Sequence, residues 1–302
     1  MAINTIKLAE QMTGALDTAM VQRSVTGFMA DNVLRAKFVG AKTVLIPHME
    51  ISGLGNYNRD DGFVQGSITV DDIPLTLTMD RGRSFQLDVQ DGDESGISDL
   101  AGRVMGEFVR TQVVPEMDAY VLSKMASHAV AESQTVTGDA DKPYEIFTDA
   151  ANKIWSELGY ETELVAFVDP VFQANLNLSD EIQRLISVGE FRQGGVDLSV
   201  KSINGVTLRP VTAGRMKTAY DFNDGMTAGQ ESGGFKPASG ARNIGLLMMA
   251  KGAGQLIKKT EKTRIFSPET NQKADAWKFD MRLYYDAFIK NSLGKGIVAY
   301  TY

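Results

Sequence analysis

Residues 43–79 read as two strands with nothing between them that could fill a core, and this stretch constrains the fold more than any other. Thr43-Val44-Leu45-Ile46-Pro47 is a β-branched and aliphatic run closed by a proline, the pattern of a strand. Ser52-Gly53-Leu54-Gly55-Asn56-Tyr57-Asn58-Arg59-Asp60-Asp61-Gly62 is rich in turn formers and marks an exposed tip. Beyond it, residues 67–70 and 75–79 alternate apolar with hydroxyl side chains at period two, interrupted by Asp71-Asp72-Ile73-Pro74. The expectation is a long ribbon of half-exposed strands. Exposed strands template unwanted pairing, so such a ribbon asks for a neighbour to cover it.

The rest of the chain supplies a body for that ribbon. Ile6, Ala9, Met12, Leu16 and Met20 recur at helical spacing and read as an amphipathic arm. Ile97, Leu100, Ala101, Val104, Met105, Phe108, Val113, Met117, Val121 and Met125 keep a 3.6 period over some thirty residues, which predicts the longest helix, with Pro115 bending it. Residues 143–250 alternate helical stretches (144–158, 170–186) with short strands (164–168, 198–203, 206–211, 244–249), a mixed α/β lobe. Residues 223–240, dominated by Gly, Ser and Ala, read as a mobile surface loop. Residues 260–266 and 276–288 flank a proline turn as a long hairpin.

With 302 residues and 43% hydrophobic content, the chain can bury more than one compact core, so two lobes with extensions are expected. It has no cysteine, which removes disulfides, thiolate metal sites and cysteine nucleophiles. Apolar runs such as residues 244–250 fall far short of the ~20 residues that cross a bilayer. No signal-peptide layout opens the sequence, so a cytoplasm-like setting and no membrane are expected. The net charge of -7 argues against a dedicated nucleic-acid binder. The charge is uneven: residues 251–302 carry 10 basic and 5 acidic side chains and are the only basic part. Differently solvated faces explain this as well as self-association does.

Catalytic chemistry finds little support. His48 and His128 are the only histidines, and nothing in the sequence brings them together. There is no Gly-x-Ser-x-Gly elbow, and neither Gly294-Lys295 nor Gly252-x-Gly254 completes a phosphate loop. Asp91-x-Asp93-x-Ser95-Gly96-x-x-Asp99 copies the opening of a calcium loop but has Gly102 where the bidentate Glu belongs, so helix capping explains it better. No catalytic residue, cofactor or metal is expected. A glycine-rich α/β hydrolase is the alternative from another class, and no acid, base and nucleophile can be nominated for it.

Three stretches, taken together, resemble the major capsid proteins of tailed bacteriophages that share the Hong Kong phage capsid fold. They are Phe38-Val39-Gly40-Ala41-Lys42-Thr43-Val44-x-Ile46-Pro47; Val113-Val114-Pro115-Glu116-Met117-Asp118-Ala119-Tyr120 followed by Leu122-Ser123-Lys124; and Arg264-Ile265-Phe266-Ser267-Pro268 with Asn271, Ala274-Asp275-Ala276, Arg282 and Asp286-Ala287-Phe288. They run in family order and span nearly the whole chain.

The resemblance implies an α+β fold with an N-terminal arm (1–40), an extended loop and first peripheral-domain strands (41–95), a spine helix (96–142), an axial domain (143–254) and return strands (255–302). It implies a structural subunit that assembles as hexamers and pentamers into an icosahedral head in the host cytoplasm. That shell encloses double-stranded DNA without specific binding, with a portal and a separate scaffolding protein as partners. A nanocompartment shell or a tail component is the alternative. Some relatives cross-link through a lysine of the extended loop, but here no lysine stands between Lys42 and Lys124. Within the loop, Glu50, Asp60, Asp61, Asp71, Asp72 and Asp80 outnumber Arg59. The C-terminal hairpin offers Lys258, Lys259, Lys262, Arg264 and Arg282. The expected assembly contact pairs these two sets between neighbours.

Overall fold

The computed structural model describes residues 24–30, 37–40, 42–60, 62–88, 104–180, 182 and 202–302. The expected arm helix, the calcium-like loop, residues 97–103 of the long helix, residues 183–186 and 198–201, and Asp61 lie outside the described residues.

The ribbon is present. Strands β1 (Lys37–Val39), β2 (Thr43–Ile51) and β3 (Ile68–Thr76) form an antiparallel sheet in that order. β3 runs unbroken through Asp71-Asp72-Ile73-Pro74, where the sequence suggested an interruption. Pro74 is tolerated because β3 is an edge strand and its missing N–H removes no bond from a partner. Only Leu77 and Thr78 separate β3 from β4 (Met79–Asp88), which enters a second sheet in the order β11–β12–β4. The two longest strands, β11 (Gly254–Phe266) and β12 (Ala276–Ile289), form the expected hairpin around Pro268.

Among the described residues the long helix runs over 104–131. A π turn at Val109–Val113 leads into α1 (Val114–Ala131). Pro115 sits at the start of α1, and the widened turn before it accommodates the bond the proline cannot donate. One face of α1 buries Met117, Val121, Leu122, Met125 and Ala129 against the main core.

The mixed lobe contains α2 (Pro143–Leu158), β5 (Leu164–Val168), α3 (Pro170–Leu178), β6 (Ser202–Ile203), β7 (Val206–Pro210), β8 (Tyr220–Phe222), β9 (Phe235–Pro237), β10 (Ile244–Ala250) and β13 (Ile297–Thr301). Its sheet runs β13–β10–β5–β7–β6, with β5 and β7 parallel. β5 and β10 are buried at every residue, which is why they read as continuous apolar runs. Asn204 (φ 51°) and Gly205 (φ 80°) take the left-handed conformations that a two-residue turn between β6 and β7 requires. Main-core residues come from α1, α2, this sheet and one face of β12, so one continuous hydrophobic cluster runs through the α+β body from which the ribbon projects.

Candidate assembly surface

The register of β2 against β3 decides what the ribbon presents, because residues opposite one another share a face. Leu45/Pro74, Pro47/Asp72, Met49/Val70 and Ile51/Ile68 lie on one face. Val44/Leu75, Ile46/Ile73, His48/Asp71 and Glu50/Thr69 lie on the other. Near its root the second face packs onto the body, where Val44, Ile46, Leu75 and Leu77 meet Ile257, Tyr284 and Phe288 in a small separate core. Farther out that face turns polar, and the His48 imidazole lies 3.2 Å from a Glu50 carboxylate oxygen.

The first face stays apolar and uncovered. Of the seventeen large apolar side chains exposed among the described residues, eight fall between Met49 and Val70. Four are the cross-strand pairs Met49/Val70 and Ile51/Ile68, and four are at the tip: Leu54, Tyr57, Phe63 and Val64. The Tyr57 and Phe63 rings lie 4.9 Å apart, so the tip carries an aromatic pair held by the Asn58–Gly62 bridge. This concentration is the signature of a surface that another molecule covers.

The ribbon's root is fixed by a buried carboxylate. Asp286 is fully buried and accepts hydrogen bonds from the Thr78 N–H (2.9 Å), the Thr78 hydroxyl (2.9 Å), the Tyr120 phenol (2.7 Å), the Lys124 ammonium (2.6 Å) and its neighbour Ala287 N–H (2.7 Å). A carboxylate with this many donors is fully satisfied inside the protein. Burial raises the Tyr120 phenol above its usual range, so it remains a donor here. The bonds tie the end of the ribbon to α1 and β12 together.

A second buried carboxylate anchors the chain entering from the N-terminal side. Asp118 of α1 accepts from the Ser24 hydroxyl (2.6 Å), the Thr26 hydroxyl (2.6 Å), the Thr26 N–H (3.2 Å), the Val25 N–H (3.1 Å) and Arg215 (3.2 Å). Arg209 adds a bond to the Val25 carbonyl (3.1 Å) and stacks over Phe28 at 4.3 Å.

The structure separates the charged residues that sequence groups together. Asp71 and Asp72 point to opposite faces of the ribbon, so they cannot meet one partner surface together. Arg59 and Asp60 sit exposed at the tip. Arg282 is engaged within its own chain, donating to Asp80 at 2.6 and 2.9 Å, and this guanidinium holds the Asp80 carboxyl below its ordinary range. The pair follows from register, since Arg282 and Tyr284 of β12 lie opposite Gly82 and Asp80 of β4. Lys259 donates to the Gly40 carbonyl (2.6 Å) and lies over Phe38. Lys258 is half-buried, whereas Lys262 and Arg264 are exposed on β11. Sequence marks the ribbon as asking for a neighbour but not which of its faces is apolar, because only register aligns Met49 with Val70 and Ile51 with Ile68.

Among the described residues no group of histidine, aspartate and glutamate is arranged to hold a metal ion, and no helix is long and apolar enough to cross a membrane.

No protein-family model matches the chain, and no curated protein matches its sequence. Solved structures do match its shape. A capsid structure of the cyanophage P-SCSP1u aligns with a TM-score of 0.58 at 10% identity, covering 88% of this chain and 84% of that one. The mature capsid of bacteriophage PhiM1 aligns at 0.55 and 13% identity over 86% and 82%. A virus-like particle from Pyrococcus furiosus aligns at 0.52 and 12% identity over 96% and 98%. At these identities the likeness is one of fold, and it extends over most of each chain. The chain therefore has the α+β fold of these shell-forming proteins, the fold its sequence resembles.

Proposed function

We propose that this chain is a non-enzymatic structural subunit that associates with copies of itself into a closed shell, and that the shell is the head of a tailed bacteriophage enclosing double-stranded DNA. The observation that carries this reading is the uncovered apolar surface of the ribbon, four exposed side chains on one face and four at the tip, on a projection rooted by a buried carboxylate. A lone molecule gains nothing from such a projection. A copy of the same chain that covers it buries apolar area worth about 25 cal/mol per Å2.

Charge refines the contact. Asp72 shares the apolar face, so it is the ribbon acid placed to meet Lys262 and Arg264 of a neighbour, while Asp71 faces away beside His48. Such pairs give register and association rate more than affinity, and salt weakens them. A portal and a separate scaffolding protein complete the set of partners in this reading, with DNA enclosed and not gripped. The division into arm, extended loop, peripheral domain and axial domain is part of the same proposal.

The second reading is a shell that encloses a protein cargo in place of DNA, and the fold shared with the Pyrococcus furiosus virus-like particle over nearly the whole of both chains is compatible with either. The test is expression of the chain alone and with a candidate scaffolding protein, followed by electron microscopy and light scattering. Shells, tubes or rings are expected, and nucleic acid or protein inside purified particles separates the two readings. A strictly monomeric species at high concentration and low salt would overturn both.

A further inference from the structure

The glycine-rich segment that reads as a mobile loop is instead a folded clasp on β4, the strand that continues from the ribbon into the body. β8 and β9 form its stem, packed through Phe222 against Tyr120 of α1 at 5.8 Å between ring centroids. Within the loop, the Asp224 carboxylate accepts from the N–H groups of Met226 and Thr227 and from the Thr227 hydroxyl, and the Asn223 amide donates to the Gly233 carbonyl. Gly225, Gly229, Gly233 and Gly234 all have positive φ, and a Cβ at Gly225 would lie 2.8 Å from the Arg83 guanidinium. Glycine there is what lets the arginine approach.

The loop meets β4 mainly through one side chain. Arg81 of β4 donates through Nε and Nη2 to Glu116 of α1 at 2.7 and 3.2 Å. It also donates to the Asn223 carbonyl at 2.9 Å and the Gly234 carbonyl at 3.3 Å, and it lies over Phe222. Arg83 adds a single bond to the Glu231 carbonyl at 3.0 Å. A cavity of about 360 Å3 lies among β4, the helix and this loop, and Phe85 of β4 packs on Phe108 beside it at 4.8 Å between ring centroids. The Arg81 guanidinium adds a polar link across it, joining three segments that are far apart in sequence. A planar fork with five N–H groups can reach all of these acceptors, and a lysine ammonium on its single point cannot.

We propose that Arg81, with Glu116 and the two carbonyls it gathers, sets the pitch of the ribbon against the body and so the curvature at which copies of this chain associate. The second half rests on the shell reading. Arg81 is a positioning residue here, acting through β4 on the ribbon, whose last strand ends at Thr76, five residues before it.

The test uses the full chain carrying Arg81→Lys, Arg81→Met, Glu116→Gln or, as control, Arg83→Lys. The absence of native cysteine allows spin labels at Asp60→Cys on the tip and Glu163→Cys on the body. Dipolar distance measurement on the unassembled subunit then reads the ribbon's pitch directly. A broadened or shifted distance distribution is expected for both Arg81 variants and for Glu116→Gln, and an unchanged one for Arg83→Lys. Assembled products of the Arg81 variants should show several diameters or open sheets where the unaltered chain gives one, with unfolding of the subunit remaining cooperative. Unchanged distances in Arg81→Lys would overturn the positioning role, with Glu116→Gln deciding if neither arginine variant folds. Altered distances with unchanged particle diameters would overturn the link to curvature and leave the shell reading standing. Failure of the unaltered chain to assemble at all would instead remove the shell reading.

Discussion

Replacing Asp118 by alanine strips one buried acceptor from five donors, and its cost can be worked from their fates. The two hydroxyls can turn toward each other, since Ser24 Oγ and Thr26 Oγ1 are already 3.2 Å apart, and Arg215 is partly exposed and can rehydrate. The N–H groups of Val25 and Thr26 have no such recourse, because the main chain holds them against a fully buried position. Each stranded donor costs about 1–3 kcal/mol, and the total should be about 3–5 kcal/mol, as for other buried charge networks that lose one member. Asp118→Asn keeps the volume but aims an amide N–H2 at two or more donors, so it should recover little. Ser24→Ala should cost only ~1 kcal/mol. Urea unfolding should show a lower midpoint at constant slope, and hydrogen exchange should show early opening of the Val25 and Thr26 amides. An Asp118→Ala protein that loses less than ~1 kcal/mol while those amides stay protected would refute the reasoning.

Three further outcomes follow from the geometry. Asp286→Ala should cost a similar ~3–5 kcal/mol and release the ribbon's root, read as lost exchange protection at Thr78 and Ala287. Asp72→Lys should impair assembly at low salt and Asp71→Lys should not, because the two side chains face opposite ways; equal effects in a light-scattering assay would sink the assignment. The Thr227 hydroxyl and the N–H groups of Thr227 and Met226 hold the Asp224 carboxyl at about 2, below its ordinary value of 3.8. Its contribution to the loop is therefore complete above pH 3.8 and lost as pH falls through about 2, so exchange at Met226 and Thr227, corrected for its intrinsic pH dependence, should rise across that window.

Much of the architecture is written in local pattern. The continuous apolar runs of β5 and β10, the long hairpin around Pro268 and the turn-rich ribbon tip all announce themselves, because burial on both faces, alternation and turn chemistry leave marks within a few residues. Register leaves no such mark. Sequence places Asp71 and Asp72 side by side as one acidic element, yet the strand period sends them to opposite faces. The Asp80–Arg282 pair spans some two hundred residues and depends on how β4 meets β12, so both groups read as available for a neighbour. Pro74 suggested a break because a proline in a central strand removes a bond, and nothing local tells that β3 is an edge. The loop after Phe222 read as mobile for a similar reason: its glycines signal left-handed backbone, but part of what holds it comes from Arg81 and Arg83, remote in sequence, beside its own Asp224 and Asn223 bonds.

The two-residue link between β3 and β4 also bears on mechanical load. Tension on the ribbon reaches the body through the main chain at Met79, the first of ten β4 positions paired with β12. A pull along β4 shears that ladder, so its bonds must yield together instead of opening singly from one end. The Thr78 attachments to Asp286 stand just ahead of the ladder and take the strain first. In the proposed shell, load from neighbouring copies would enter the β4–β12 ladder by this route, and a wall built from such subunits would carry internal pressure along backbone and not through surface contacts alone.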